Sequence, residues 1–451
     1  MNELSLASMV YIDIYDYLLL PVYLFAFYFI VVIKSKKYEA GTLRKFLITG
    51  FLLHMLGSIM YCMTIQYYYG YGDSFGFYQG SNYIRAVISD TGNPIEPFFM
   101  SSADFQRLSA NANTSELSLP TGIDVASNLT IMKISAGLSY LTFNSYLIIS
   151  LFFGLFSFAG LWKLYKTMNE VLDSVSPGLL AVLVLYLPSI CFWGSGLIKD
   201  SVCLGAIGYV IYFVYMIFVK RKVTFKYVFF LIIIFYLLFI IKSYLAIVLI
   251  AAIMIAYVFH IILKSRNNIM KLMFVTGFLL ITAVILIISI SPTIDSIVEE
   301  SRNNIETFKR AYAAERDEND DSRFSGIDMD ISIGNIILRS PMALFTTLFR
   351  PFLWESGKLV IFFSALESLL ALGLGIYVLI KCRILRFFKF LFTDPYLLLC
   401  FIFTAIVGVI IGLSTFNFGT MVRYRLPILP FYYFILISIY LKNQAVLLAK
   451  R

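Results

Sequence analysis

Apolar runs of about twenty residues recur along the whole chain, separated by short polar breaks, and none alternates with period two. Each run is long enough to cross roughly 30 Å of hydrocarbon as a helix. A membrane strand would need a closed barrel and an alternating pattern, so the spans are expected to be helical. The breaks predict about eleven crossings, near 17–33, 46–66, 138–160, 178–193, 201–219, 227–241, 244–263, 272–290, 359–380, 395–413 and 426–441. The expected architecture is an all-α polytopic transmembrane bundle. Residues 1–45 form a leading helix and basic loop, and 46–290 a membrane core whose first outer loop is 67–135. Residues 291–358 form an outer amphipathic or re-entrant segment, and 359–451 the C-terminal helices.

Composition agrees with this reading. Hydrophobic residues make up 60% of the chain and charged residues 14%, and the mean hydropathy is +0.84, outside the range of soluble domains. The first run, 18–33, has no basic residue before it and no small-residue cleavage site after it, so it reads as a retained helix. Charge then chooses the orientation. With the N-terminus outside, the inner segments 34–45, 161–177, 220–226, 264–271, 381–394 and 442–451 hold 21 Lys and Arg against four acids. The outer segments hold the other 15 bases with 22 acids, and Glu367 falls inside a span. Such a bias predicts N-out and C-in. The net charge of +9 is therefore a topology signal, and no basic patch with interleaved aromatics suggests a nucleic-acid partner.

Within the outer segment 291–358, "SPTIDSIVEESRNNIETFKRAYAA" puts its apolar residues on one helical face and suits a surface-lying helix. "ERDENDDSRFSG" reads as a loop; Ser322 stands where a calcium loop needs glycine. Residues 331–354 are apolar but carry Arg339, Pro341, Arg350 and Pro351, and are read as re-entrant or interfacial. The five cysteines form no CxxC pair, so neither a disulfide framework nor a zinc site is suggested. His54 and His260 lie far apart in predicted spans and read as satisfied interior histidines. Gly408 and Gly412, in "GVIIG", form a small-residue face where two helices approach closely. The sequence calls for no cofactor and gives no support for a divalent metal.

The chemistry-bearing residues fall at one predicted depth. Asp73 follows the second span in "YYYGYGDSFGFYQG", and Lys199 and Asp200 close "FWGSGLIKDS". Lys242 and Tyr244 interrupt a long apolar run; Arg350 and Glu355 lie in "LFRPFLWES"; Arg423 and Arg425 lie in "NFGTMVRYRLP". All sit at the outer boundary in the same topology. Charge near hydrocarbon is costly unless paired or wetted, so these are site candidates, with local pairing or snorkelling as the alternative. Cations at such a depth suit a lipid-linked phosphate, and a carboxylate among them can accept the proton of an attacking hydroxyl. Tyr67, Tyr68, Tyr69, Tyr71 and Tyr78 flank Asp73 and suit either sugar faces or an interfacial belt. In "FWGSGLIKDS" the two glycines are expected to free the backbone from helical geometry.

The order of "GYGDSFGFY", "PSICFWGSGLIKDS", "KSYLAIVL", "FRPFLWES" and "RYRLPILP" resembles the GT-C superfamily of polytopic glycosyltransferases. The similarity is to the bacterial branch related to protein mannosyltransferases and aminoarabinose transferases, and covers about 46–441 through short motifs. It implies an inverting transferase in the bacterial plasma membrane, with its active face extracytoplasmic. Such an enzyme takes sugar from a polyprenyl-phosphate donor to a glycan, lipid or protein acceptor in surface-polysaccharide or glycoconjugate synthesis. By resemblance Asp73 is the catalytic base, and Lys199, Lys242, Arg350, Arg423 and Arg425 contact the donor phosphate. Asp200 orients Lys199 and Glu355 orients Arg350, with Tyr244 in a secondary place. The chain departs from the pattern in its extra leading span, in Ser74 where a second acid is usual, and in lacking a soluble domain after the last helix. An O-antigen-type polymerase or ligase, a transporter or flippase, and a non-catalytic assembly subunit stand as alternatives.

Overall fold

A computed structural model describes residues 11–38, 41–111, 119–172, 176–264, 333–415 and 417–449. Among them the chain is helical, with no β-strand. Eight of these helices are long and apolar enough to cross a membrane, and a ninth apolar helix, Phe225–Ile241, is 17 residues long. The protein is an integral membrane protein. The predicted span 272–290, the surface helix and the acidic loop lie outside the described residues.

The chain divides into two compact units, Met1–Thr167 with Val184–Lys242, and Met168–Leu183 with Ser243–Arg451. In the first unit, α1 (Ile14–Ser35) packs on α2 (Thr42–Thr64), which continues through one π-helical turn to Tyr69. The first loop carries α3 (Asp73–Thr91), α4 (Glu96–Phe99), α5 (Ser102–Asn111) and α6 (Ala126–Ser139), and α3 packs along α6. The next long helix, α7, runs Tyr146–Val171 rather than 138–160. Phe143 and Asn144, both with positive φ, break the apolar run ahead of it, and Ser145 Oγ accepts from the Ile148 amide (3.1 Å) at its start. The Ser145 hydroxyl also donates to Asp16, a buried acid on α1.

The predicted crossing 178–193 is not one helix. It is split into α8 (Pro177–Leu185) and α9 (Pro188–Trp193). Pro188 has no N–H to give and holds Leu187 in extended backbone (φ −59°, ψ 127°), which ends the preceding helix. The break leaves the Leu185 carbonyl without a helical donor, and buried His54 reaches it through Nε2 at 3.2 Å. The other ring nitrogen, Nδ1, is 3.0 Å from Ser195 Oγ. His54 is thus a satisfied interior residue, as the sequence suggested, whereas His260 is exposed.

Two helices then complete the unit, α10 (Lys199–Val214, extended by a π-turn to Val219) and α11 (Phe225–Ile241), packed on each other. α10 crosses α7 at close range. A Cβ on Gly160 would sit 2.0 Å from the Gly205 carbonyl, and one on Gly208 2.1 Å from the Gly160 carbonyl. The glycines of "FWGSGLIKDS" act in the same way. Gly194 has φ −80°, so no positive φ is required there. A Cβ on it would lie 2.3 Å from the Ile190 carbonyl, and one on Gly196 2.3 Å from the Tyr61 ring. Close packing, not backbone freedom, explains that pair.

In the second unit, α12 (Ser243–Lys264), α13 (Ile333–Phe349) and α18 (Leu429–Leu448) all pack on α16 (Pro395–Ser414). α14 (Leu359–Cys382) packs on α13 and α18, with the short α15 (Ile384–Leu391) and α17 (Phe418–Tyr424) at its ends. The small-residue face is where the sequence put it. A Cβ on Gly412 would lie 2.2 Å from the Ala343 carbonyl, and one on Gly408 2.5 Å from Leu344. Thr347 Oγ1 fastens the same crossing by donating to the Gly408 carbonyl at 2.7 Å. All five cysteines are buried free thiols.

Candidate functional site

The first unit gathers Asp73, Lys199, Asp200 and Lys242 at the ends of three helices. α10 begins at Lys199 and puts Asp200 in its first turn, where a carboxylate favours the helix dipole. α11 ends at Ile241, so Lys242, its C-cap, stands beside the start of α10. Lys242 Nζ pairs with Asp200 Oδ1 at 2.5 Å, and both side chains are nearly out of solvent, at 9% and 1% exposure. Asp200 was expected to orient Lys199, but its ion pair is with Lys242. Lys199 Nζ instead donates to Ser127 Oγ at 2.8 Å, from the first turn of α6. The charges that act on Lys199 are those of Lys242, Asp73 and Asp200.

Asp73 opens α3 and is exposed. Its position is set by two glycines, Gly70 (φ 70°) and Gly72 (φ 149°), which supply backbone that side-chain-bearing residues rarely adopt. The following residues anchor the helix. Ser74 Oγ lies 2.8 Å from the Tyr146 hydroxyl, and Phe75 packs on Tyr11 and Tyr146 with ring centroids 4.2 and 5.4 Å apart. Tyr78 donates to the Asn144 carbonyl at 2.7 Å, and burial pushes its phenol above the ordinary range. Tyr67, Tyr68 and Tyr71 remain exposed at 63%, 56% and 69%. On α6, burial pulls the Lys133 ammonium below its usual range while it donates to the Met100 carbonyl at 2.6 Å.

The second unit holds Tyr244, Arg350, Glu355, Arg423 and Arg425. Arg350 follows α13 and pairs with Glu355 as expected, with Nε 3.0 and 3.1 Å from the two carboxylate oxygens. Its guanidinium lies 5.2 Å from the Phe418 ring centroid. Tyr244 is buried on α12, and Arg423 is half-buried in the last turn of α17.

Arg425 has a different place from the one the sequence suggested. It is 1% exposed, and its Nη1 donates to the Arg350 carbonyl (2.7 Å) and Ser368 Oγ (2.8 Å), its Nη2 to the Ser364 carbonyl (3.3 Å). It caps the C-terminal end of α13, whose last carbonyls have no helical donors. Burial lowers its pKa while the charge of Glu367, the intramembrane acid of α14, acts the other way. That geometry commits Arg425 to the protein interior. Neither Ser127 nor Asp16 was found from the sequence, since a serine or an aspartate in the first turn of a helix carries no local mark of its distant partner.

No protein-family model, curated protein or solved structure matches this chain.

Proposed function

We propose that the chain is a GT-C-like membrane glycosyltransferase. It moves a sugar from a polyprenyl-phosphate donor to an acceptor hydroxyl on the extracytoplasmic side of a bacterial plasma membrane, in surface glycan or glycoconjugate synthesis. One observation carries the reading. Lys199 is half-buried at a helix start, its hydrogen bond among the described residues goes to a neutral serine, and Asp73 lies within electrostatic range. A lysine so placed keeps two N–H donors for an anion, and a half-buried cation favours one strongly. Lys242 is held in place by Asp200 and is the strongest of the charges acting on Lys199.

In this reading Lys199 and Lys242 bind the donor phosphate and Asp73 faces the anomeric carbon. The acceptor oxygen attacks that carbon and its proton passes to Asp73. The bond from the anomeric carbon to the phosphate oxygen breaks, leaving its electron pair on the phosphate, where the ammonium groups stabilise it. A single displacement inverts the anomeric configuration. Arg425 is proposed to act only through the backbone it caps, and no cofactor is invoked.

The second reading, an O-antigen-type ligase or polymerase, draws on the same two adjacent ammonium groups, which also suit a diphosphate. Native mass spectrometry of the protein in nanodiscs containing polyprenyl phosphate, polyprenyl diphosphate or the uncharged polyprenol separates these possibilities. The monophosphate is expected to bind best, and Lys199→Gln to weaken it about 10- to 100-fold, the range for one hydrogen bond to a charged group. Preference for the diphosphate selects the ligase reading. Equal binding of the polyprenol overturns both.

A further inference from the structure

The opposite end of the first unit carries a second cationic cluster, which the transferase reading does not use. α11 shows the separation, with Lys226 in its first turn and Lys242 at its end. Sixteen residues of helix place them about 24 Å apart, close to the hydrocarbon thickness. Lys34 and Lys37 lie where α1 finishes, and Lys163 and Lys166 lie in the last third of α7. The charged side chains that act on Lys163 are Lys166, Lys37, Lys34 and Lys226, all of them lysines. None of these five is in a salt bridge among the described residues.

Positive charge at one membrane boundary needs no site to explain it, because inner loops are basic in general. The arrangement here is more specific. Lys163 and Lys166 are half-buried on a long helix rather than extended from a loop. The Lys163 ammonium sits 4.1 Å from the Tyr212 ring centroid, and that of Lys166 5.5 Å from the Tyr38 centroid. Tyr38 is itself held by Trp162, whose Nε1 donates to its hydroxyl at 3.3 Å. Aromatic faces thus fix two ammonium groups that would otherwise spread apart, and the charges of Lys34, Lys37 and Lys226 act on the first of them. Fixed like charges repel, and an anion among them removes that cost.

We propose that this cluster is a binding site for the phosphate of an anionic phospholipid headgroup, seated among Lys34, Lys37, Lys163, Lys166 and Lys226. The lipid source follows from depth, since the lysines lie where α1 and α7 end and α11 begins. There the acyl chains have apolar helix to lie against; Val228, Phe229 and Ile232 of α11 are exposed nearby. The inference stands independently of the transferase reading.

The test is native mass spectrometry of the full-length protein released from nanodiscs of equal phosphatidylglycerol and phosphatidylcholine. Wild type is expected to retain phosphatidylglycerol preferentially. The triple variant Lys37→Gln/Lys163→Gln/Lys166→Gln should lose about 100-fold in that retention, at roughly tenfold or less per lysine. The triple arginine variant, which keeps the charge, should retain it and shows that loss is not misfolding. Lys381→Gln/Lys389→Gln, in the second unit, should behave as wild type. Equal retention of the two lipids, an equal loss in the second-unit control, or full displacement by inorganic phosphate at millimolar concentration each overturns the proposal.

Discussion

Removing Lys242 probes the buried pair that shapes the proposed site. In Lys242→Met the stem volume is kept and the ammonium is lost, so the Asp200 carboxylate, 1% exposed, loses its ion pair with Lys242. Breaking a buried pair from one side costs about 3–5 kcal/mol, because the remaining charge stays desolvated. Lys199 remains nearby and acts on the same group, which places the expected cost near the lower end, about 3 kcal/mol. For a folding unit of this size that is a fall of about 6–12 °C in apparent Tm, at about 2–4 °C per kcal/mol. Asp200→Asn/Lys242→Met removes both charges and should recover most of the loss, giving a coupling of about 2 kcal/mol in a double-mutant cycle. Thermal unfolding of the detergent-solubilised protein, followed by static light scattering and tryptophan fluorescence, measures all four corners. A single variant within 1–2 °C of wild type, or a double variant no more stable than the single, refutes the claim that this pair is buried and mutually dependent.

Two further expectations concern the second unit. Arg425→Lys should destabilise nearly as much as Arg425→Met, by about 3 kcal/mol in thermal unfolding, since one ammonium cannot replace the fork that spans the Arg350 and Ser364 carbonyls and Ser368; rescue by lysine counts against the cap. Gly412→Val should cost at least about 2–3 kcal/mol by the same measurement, because its Cβ would meet the Ala343 carbonyl at 2.2 Å and backbone must move, whereas Gly373→Ala, with open space around it, should be neutral or better.

How much of this could be read from the sequence depended on the range of the interaction. Span existence was legible because twenty apolar residues leave few alternatives, and the Gly408 and Gly412 crossing because spacing on one helix shows it. Pro188 carried the signal that 178–193 breaks, but hydropathy averages over a single proline, so the split into α8 and α9 was missed. Likewise "LTFNS" at 141–145 is apolar enough to look like helix, while Asn144 takes positive φ. The Arg350–Glu355 pair, five residues apart, was legible. The Asp200–Lys242 pair spans 42 residues, and Lys199 next door competed for the same carboxylate on paper. Arg425 shows the hardest case. An arginine beside a membrane boundary has the same local sequence whether it binds a ligand or caps a buried helix, and only its neighbours in space decide.

A cryo-EM map of the protein in nanodiscs with bound polyprenyl phosphate would locate the donor phosphate relative to Lys199. Phosphate density is expected within about 3 Å of Lys199 Nζ, with the lipid tail leaving along the membrane and Asp73 facing the open side of the phosphate. Density for that phosphate elsewhere, with Lys199 still bonded only to Ser127, would contradict it.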